Sequence, residues 1–386
     1  MGTYWQAKPH TQQKYNILGK YLAACGKFAR IYRNFAYIDT HGGSGLVEMV
    51  DEGAEHSLFP DCFSERKVAG SPLIAARAVQ AWSEGKEFPC HIIEIDPGRY
   101  ATLEQSTHDY LWVHTHLGDC NNLVPGILQK IPSWAFVLCF VDPDGLVYED
   151  PGTRENVYQF TWKTMEQIAS REKMEMLLNF PLWAILRTAG SCQEKPDDSE
   201  SQKMAEHLSA YFGCDDWWTL QGKRRFLDLY LHRLESIGFP YRGAYYVVGS
   251  TYYYLIYATR HEVGAQIMRD VMWGVWRECH FGGAQARCPA WATLEQFVFD
   301  DEGQYRLGYP SNWDEIAQHV KETAGWRCLE CGHPHDPASH YVLTVHHRDG
   351  DTSNNAPENL VALCQRCHLR AQSQLLQPAC QLQLPL

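Results

Sequence analysis

Apolar residues recur at helical spacing over residues 14–34, where Ile17, Leu18, Tyr21, Leu22, Phe28 and Ile31 share a face. That period predicts a helix ahead of the first strand. Phe35–Asp39 then reads as a strand ending in a Gly-rich turn, and Ser71–Trp82 as a helix with Pro72 in its first turn. His91–Ile95, Val113–Leu117 and Trp134–Val141 read as three more strands, with a helix near Arg99–Gln105. The last of these is almost wholly apolar, which places it at the centre of a sheet. Met174–Phe180 is a fifth strand. The polar stretch Gln193–Gln202 predicts a loop leading into a helical insertion over about 190–240, with helices at Lys203–Phe212 and Phe226–Gly238. Tyr245–Thr259 predicts two strands joined at Gly249-Ser250, and His261–Trp276 a helix. Strands alternating with helices argue an α/β fold with a parallel sheet. Gly303, Gly308 and Pro310 mark a linker, placed at 296–312 between a first domain over 1–295 and a second over 313–386, where Ser311 is positioned to cap a helix. No internal repeat is visible.

Composition narrows the function classes. The 386 residues suggest two or three domains. Lys+Arg 34 against Asp+Glu 46 gives a formal net charge of −12, which excludes a broadly basic nucleic-acid-binding surface. Any such site must be local. No stretch reaches the roughly 18 apolar residues of a spanning helix, so no membrane partner is expected. The opening MGTYWQAKPHTQQKY has no apolar core of a secretory leader, so a reducing cytoplasm is the expected compartment. There, fourteen cysteines pose the question of which bind metal. Ten are scattered and read as core residues or free thiols.

The other four form Cys328-x-x-Cys331 and Cys364-x-x-Cys367, which suit one tetrahedral structural Zn²⁺. The interval between the pairs leaves room for a separate element. It contains the alternating run Tyr341–Val345, then His346-His347 and Asn359, and His368 follows the second pair. Over about 45 residues this resembles the HNH motif of the ββα-metal endonucleases in its four-Cys zinc form. The resemblance implies that His347 is a general base, that His346 and His368 hold a catalytic divalent ion (Mg²⁺, Mn²⁺, Ni²⁺ or Zn²⁺), and that Asn359 orients His347 by a hydrogen bond. Asn354 and Asn355 are rivals for a supporting role, although Ser-Asn-Asn-Ala-Pro also reads as turn chemistry. Arg348 and Arg370 are candidate phosphate contacts. From Pro310 onward five Lys/Arg face eight Asp/Glu, so this segment alone is expected to hold nucleic acid weakly.

The N-terminal region carries a second constellation. Asp39 ends a strand ahead of His41-Gly-Gly-Ser-Gly45, and Glu94 and Asp96 follow the second strand. Asp119 follows the third, and Asp142-Pro-Asp-Gly145 the fourth. Acids after strands, with Gly43 and Gly45 in the turn, resemble the cofactor crevice of class I S-adenosylmethionine-dependent methyltransferases, which implies a Rossmann-like sheet and an S-adenosylmethionine or other nucleotide ligand. Asp142-Pro-Asp-Gly145 lacks the second proline and the aromatic residue that position an exocyclic amine, which counts against methyl transfer. Lys14-Tyr15, Lys20-Tyr21, Tyr37–Gly45, Gly70–Ala78, Ile92–Asp96, Phe140–Gly145, Leu177–Phe180 and Tyr252–His261 with Met268 and Trp273 together resemble the three-Cys-motif partner (TcmP) family over about residues 10–280. That likeness implies a methyltransferase-like domain and a protein partner encoded nearby. The combined expectation is a methyltransferase-like recognition domain joined to an HNH endonuclease that acts on nucleic acid, DNA ahead of RNA, in an anti-phage role. The alternative is a nucleic-acid methyltransferase whose zinc domain only binds.

Overall fold

The computed structural model describes residues 5–7, 11–32, 34–49, 66–82, 88–149, 155–247, 251–281, 288, 292–299, 313–336, 341–349, 354–368 and 371. The chain divides into two compact units, Met1–Asp300 and Asp301–Leu386.

The first unit runs β1 (Trp5–Ala7), α1 (Thr11–Tyr32), β2 (Phe35–Asp39), β3 (Leu46–Met49), β4 (Arg66–Ala69), α2 (Ser71–Trp82), β5 (Cys90–Glu94), α3 (Pro97–Thr107), β6 (Val113–Leu117), α4 (Cys120–Lys130), β7 (Phe136–Val141), β8 (Val147–Glu149) and β9 (Asn156–Tyr158). It continues through α5 (Trp162–Ala169), β10 (Met174–Phe180), α6 (Leu182–Glu194), α7 (Ser199–Phe212), α8 (Lys223–Ser236), β11 (Tyr241–Val247), β12 (Tyr253–Thr259), α9 (Glu262–Phe281) and β13 (Gln296–Phe299). Eight strands form one sheet in the order β13-β11-β12-β10-β7-β2-β5-β6. All run parallel except β12, which is antiparallel to both neighbours. This is a Rossmann-like, methyltransferase-like α/β sheet. The order reverses between β2 and β7, and a crevice outside the C-terminal strand ends is the usual ligand position at such a switch.

The central strands explain the order. β2, β5 and β10 are buried along their whole length, and β7 along nearly all of it. Only helices on both faces can cover such strands. α1, α2 and α9 cover one face, where Tyr21, Leu22, Trp82, Met268 and Met272 join the core formed by Phe35, Tyr37, Leu138 and Tyr257. The scattered thiols Cys25, Cys90, Cys120, Cys139 and Cys192 are buried, as small core residues.

Two expectations change. Leu182–Glu194 is helical, so the predicted loop at 193–202 begins later. Its apolar residues Leu182, Ala184, Ile185, Ala189 and Cys192 make a helical stripe that packs inward. The predicted linker gives up its first residues, since Gln296–Phe299 add β13 to the sheet edge beside β11. Phe297 lies across Gly243, where any Cβ would overlap its ring, so a strand glycine is covered by an aromatic neighbour. β3 and β4, which follow the Gly-rich turn, form a small sheet with β1 from the N-terminal end. Gly249-Ser250, Ser311 and residues 300–312 lie outside the described residues.

The second unit has α10 (Trp313–Thr323), then a cysteine turn, then the antiparallel pair β14 (Leu343–His347) and β15 (Leu360–Cys364). The chain turns helical again at 365–368. Its core is small: Leu343, Val361, Ala362 and Leu363 pack with Cys328, Cys364 and Cys367, and Ala317, Val345 and Leu360 join α10 to the strands. No helix among the described residues is long and apolar enough to cross a membrane.

Gly243→Ala should displace Phe297 and loosen β13. A stability loss of about 1–3 kcal/mol, the usual range for overpacking, is expected in urea unfolding of the full chain.

Candidate functional site

The cysteine cluster is built by two tight turns brought together by the β14–β15 pair. Cys328 and Cys331 lie before β14, Cys364 ends β15, and Cys367 follows one turn later. The four sulfurs lie within 4.8 Å of one another. Cys331 Sγ and Cys364 Sγ are 3.7 Å apart, close to the ~3.8 Å edge of a tetrahedron with Zn–S bonds of about 2.3 Å. Burial raises the Cys328 thiol, but backbone hydrogen bonds at Cys331, Cys364 and Glu330 more than offset this and bring it to about 7, while burial and the neighbouring thiols hold Cys331 and Cys367 up in the absence of a cation. A thiolate is the form a zinc ion takes up. These four residues fit a structural zinc.

Beside it stand the histidines. His346 and His347 end β14, buried on opposite faces of the strand as successive residues must be. The ring of His346 meets that of His368, with centroids 4.9 Å apart at 63°. Thr344 determines the tautomer of His368. Its hydroxyl donates to the Leu363 carbonyl at 3.0 Å, so at 2.8 Å its oxygen must accept from His368 Nδ1–H. The lone pair of His368 is then on Nε2, the arrangement second-sphere groups give a metal-binding imidazole. Burial, then His346 and His347, hold His368 down at about 4, and burial also lowers His346. Both rings are therefore neutral and able to ligate. Among the described residues only the cysteine set offers three or more metal-binding groups together, so an ion on His346 and His368 would keep most of its coordination sphere for water and substrate.

His347 is positioned differently from the expectation. Its Nε2 is 3.1 Å from Asn355 Oδ1, an acceptor, so Nε2 carries the proton and Nδ1 the lone pair. Trp313 of α10 stacks on the ring at 5.2 Å and 23°. Asn359 does not bond His347. Its Nδ2 donates to Asp349 Oδ1 and the Asn354 carbonyl, and its Oδ1 accepts from Asp349 N. Asn359 thus pins both ends of the loop that presents Asn355, and acts on His347 at one remove. Thr344 and Trp313 carry no sequence signal for these contacts, whereas Asn355 takes the supporting place for which it and Asn354 are rivals in the sequence. The Ser-Asn-Asn-Ala-Pro setting, read as a turn, was the available signal. Arg348 is exposed next to His347, and Arg370 lies outside the described residues.

In the first unit, the switch-point crevice is a cavity of about 110 Å³ whose lining includes Gly43, Glu94, Asp119 and Asp142. Asp39, Gly45 and Asp96 do not line it. Asp39 is fully buried beneath it, held by Tyr37 Oη and His41 N, and burial pushes its carboxyl up to about 7, with the Ser71 hydrogen bond opposing. Gly45 and Gly43 take left-handed backbone, φ +75° and +59°, the conformations that favour glycine. Asp96 caps α3 and accepts from Tyr148 Oη at 3.1 Å. Glu94 accepts from Arg99 twice and from Asp96 N, all on Oε1. Asp119 caps α4. Asp142 lies in a two-pronged pair with Lys14 of α1 at 2.7 and 2.6 Å, and Asn179 Nδ2 also donates to it. Asn179 Oδ1 is buried with no partner. His41 bridges Thr40 and the Gln159 carbonyl, which anchors the turn to the chain after β9.

These pairings leave little room. Small-molecule sites are typically about 300–1,000 Å³, so the crevice is narrow as it stands. The acid at the fourth strand end, Asp142, is paired with Lys14.

No protein-family model matches the chain, so the likeness to the three-Cys-motif partner family rests on the quoted segments. Over 61 residues the chain is 39% identical to Zorya protein ZorE of Escherichia coli (strain ATCC 8739). The matched stretch is 16% of this chain and 16% of that protein. Among solved structures, protein LPL1258 of Legionella pneumophila, a DUF519 protein, is 12% identical with a TM-score of 0.39, covering 70% of this chain and 94% of that one. The METTL16 MTase domain is 10% identical with a TM-score of 0.31, covering 62% and 66%. EvdMO1 is 12% identical with a TM-score of 0.30, covering 64% and 43%.

Two outcomes test this geometry. Elemental analysis of protein purified without added metal should give one zinc per chain, and a chelator that strips it should unfold the second unit while the first keeps its near-ultraviolet signal. Lys14→Met should leave the part-buried Asp142 without its charge partner, and cost about 1–3 kcal/mol in denaturant unfolding.

Proposed function

We propose that the chain is a metal-dependent endonuclease of the HNH type that hydrolyses phosphodiester bonds, in DNA rather than RNA. The observation that carries this reading is the β14–β15 pair, which sets His346 and His368 ring to ring with the His368 lone pair on Nε2, and holds His347 with its lone pair on Nδ1. His347 Nδ1 takes the proton from the attacking water as phosphorus is approached. An imidazole suits this because its proton affinity lies near neutrality. Asn355 keeps that nitrogen unprotonated by accepting from Nε2–H, Trp313 fixes the ring plane, and Asn359 holds the loop. A divalent ion on His346 and His368 would supply charge for the phosphate and the departing 3′ oxygen.

The first unit, in this reading, recognises a nucleotide or nucleic-acid feature and does not transfer a methyl group. The Lys14–Asp142 pair and the 110 Å³ crevice support that choice. The net acidic second unit calls for such help in binding, from the first unit or from a nearby-encoded partner. The partial likeness to Zorya protein ZorE fits an anti-phage role for the pair, and a cytoplasmic location follows from that role.

With Mg²⁺, Mn²⁺ or Ni²⁺, the full chain should nick or cut plasmid DNA, and His347→Ala should slow this by roughly 10²–10⁴-fold. Thr344→Val should raise the metal concentration for half-maximal cleavage by about 10–100-fold and recover at saturating metal. If the wild type cuts neither DNA nor RNA with any of the three ions, or His347→Ala cuts equally well, the reading fails.

A further inference from the structure

The first unit carries imidazoles of its own, gathered at one edge of its sheet. β6 ends the strand order. On it, His114 stands directly opposite His91 of β5, and His116 follows two residues later. Side chains two apart on a strand share a face, so His114 and His116 lie on the side of the sheet that His91 takes. The rings meet there. The His91 centroid is 5.2 Å from that of His114 and 5.4 Å from that of His116, with the planes at 30° and 26°.

Two of the ring nitrogens are already placed for an ion. His91 Nδ1 and His116 Nε2 are 3.2 Å apart. As a hydrogen bond, this contact joins a proton on one ring to a lone pair on the other. A tetrahedral ion with metal–nitrogen bonds of about 2.0–2.1 Å holds its nitrogens about 3.3–3.4 Å apart, nearly the same separation. An ion can therefore take the place of the shared proton with little movement of either strand. The donor ring then carries its proton on its other nitrogen, so each imidazole keeps one proton and turns a lone pair to the metal. Neutral rings are needed for this. Burial, then His114, His116 and Lys130, hold His91 down at about 4, and burial also lowers His116.

The third ring is not yet in place. His114 is exposed, and among the described residues its ring makes no hydrogen bond. A turn of this side chain brings its imidazole to the same ion, and water completes the sphere. Lys130, at the end of α4, is the charge that opposes a cation here. It is exposed, so solvent and salt screen it. No carboxylate acts on the cluster among the described residues. An all-imidazole set suits zinc, nickel or cobalt and offers nothing to Mg²⁺, which takes oxygen ligands.

We propose that His91, His116 and His114 form a binding site for a divalent transition-metal ion, Zn²⁺, Ni²⁺ or Co²⁺, in addition to the cysteine set and to His346 and His368.

Calorimetry of the full chain, its cysteine set filled with zinc, tests this with Ni²⁺ and with Mg²⁺ as titrants. The wild type should take up one Ni²⁺ more than a variant carrying His114→Gln and His116→Gln, and Mg²⁺ should not distinguish the two. Ions on His346 and His368 are common to both proteins and cancel. His114→Gln alone should weaken the extra site by at least about tenfold. That residue is exposed, so the single variant keeps the test decisive if the double one folds poorly. Equal Ni²⁺ uptake by the wild type and the double variant, or an unchanged affinity in His114→Gln, would overturn the proposal.

Discussion

A carboxylate moved out of water has to be paired or protonated, and the first unit meets that demand at both ends of its sheet. Asp39, Glu94 and Asp142 stand at the C-terminal ends of adjacent strands and Glu175 near the start of β10. Each is relieved differently: Glu94 by Arg99, Asp142 by Lys14, Glu175 by hydroxyls, Asp39 by hydrogen bonds that only partly offset its burial. One helix serves two of them. Lys14 and Tyr21 of α1 are two turns apart, about 10 Å along the axis, so α1 ties the crevice end to the opposite end. Helix, sheet and crevice are held by the same pairs.

That constraint shapes what the crevice can do. In an open methyltransferase-like sheet, strand-end acids are the groups a cofactor would meet. Here they are engaged by the protein's own cations and helix ends, and His41 and Tyr148 draw the surrounding loops in. Among the described residues that line the crevice, Asn179 Oδ1 is buried without a hydrogen-bond partner.

The second unit works by the reverse economy. Its hydrophobic core is a few side chains on two short strands and one helix, too little to order several neutral histidines unaided. A metal on the four cysteines would supply that order. The β14–β15 pairing then carries it across, since Cys364 and His346 lie in the same two-stranded ladder. Zinc binding and histidine geometry are in this sense one structural problem.

Much of this was legible in the residues themselves. Hydrophobic period and run length located most strands and helices, because burial on one or both faces leaves a periodic trace. The CxxC pairs declared a metal because ligand spacing is local. The histidines could be listed for the same reason, but not their tautomers, which depend on a threonine hydroxyl and an asparagine loop across a ladder. Likewise, Asp142 in sequence is an acid at a strand end. Only packing brings Lys14, 128 positions away, against it. The sequence alone determined which elements form and which ligands exist, since both are written in local spacing. The tertiary structure decided which acids are spent, which ring nitrogens stay basic, and where a cavity opens, because long-range pairing and burial set those free energies.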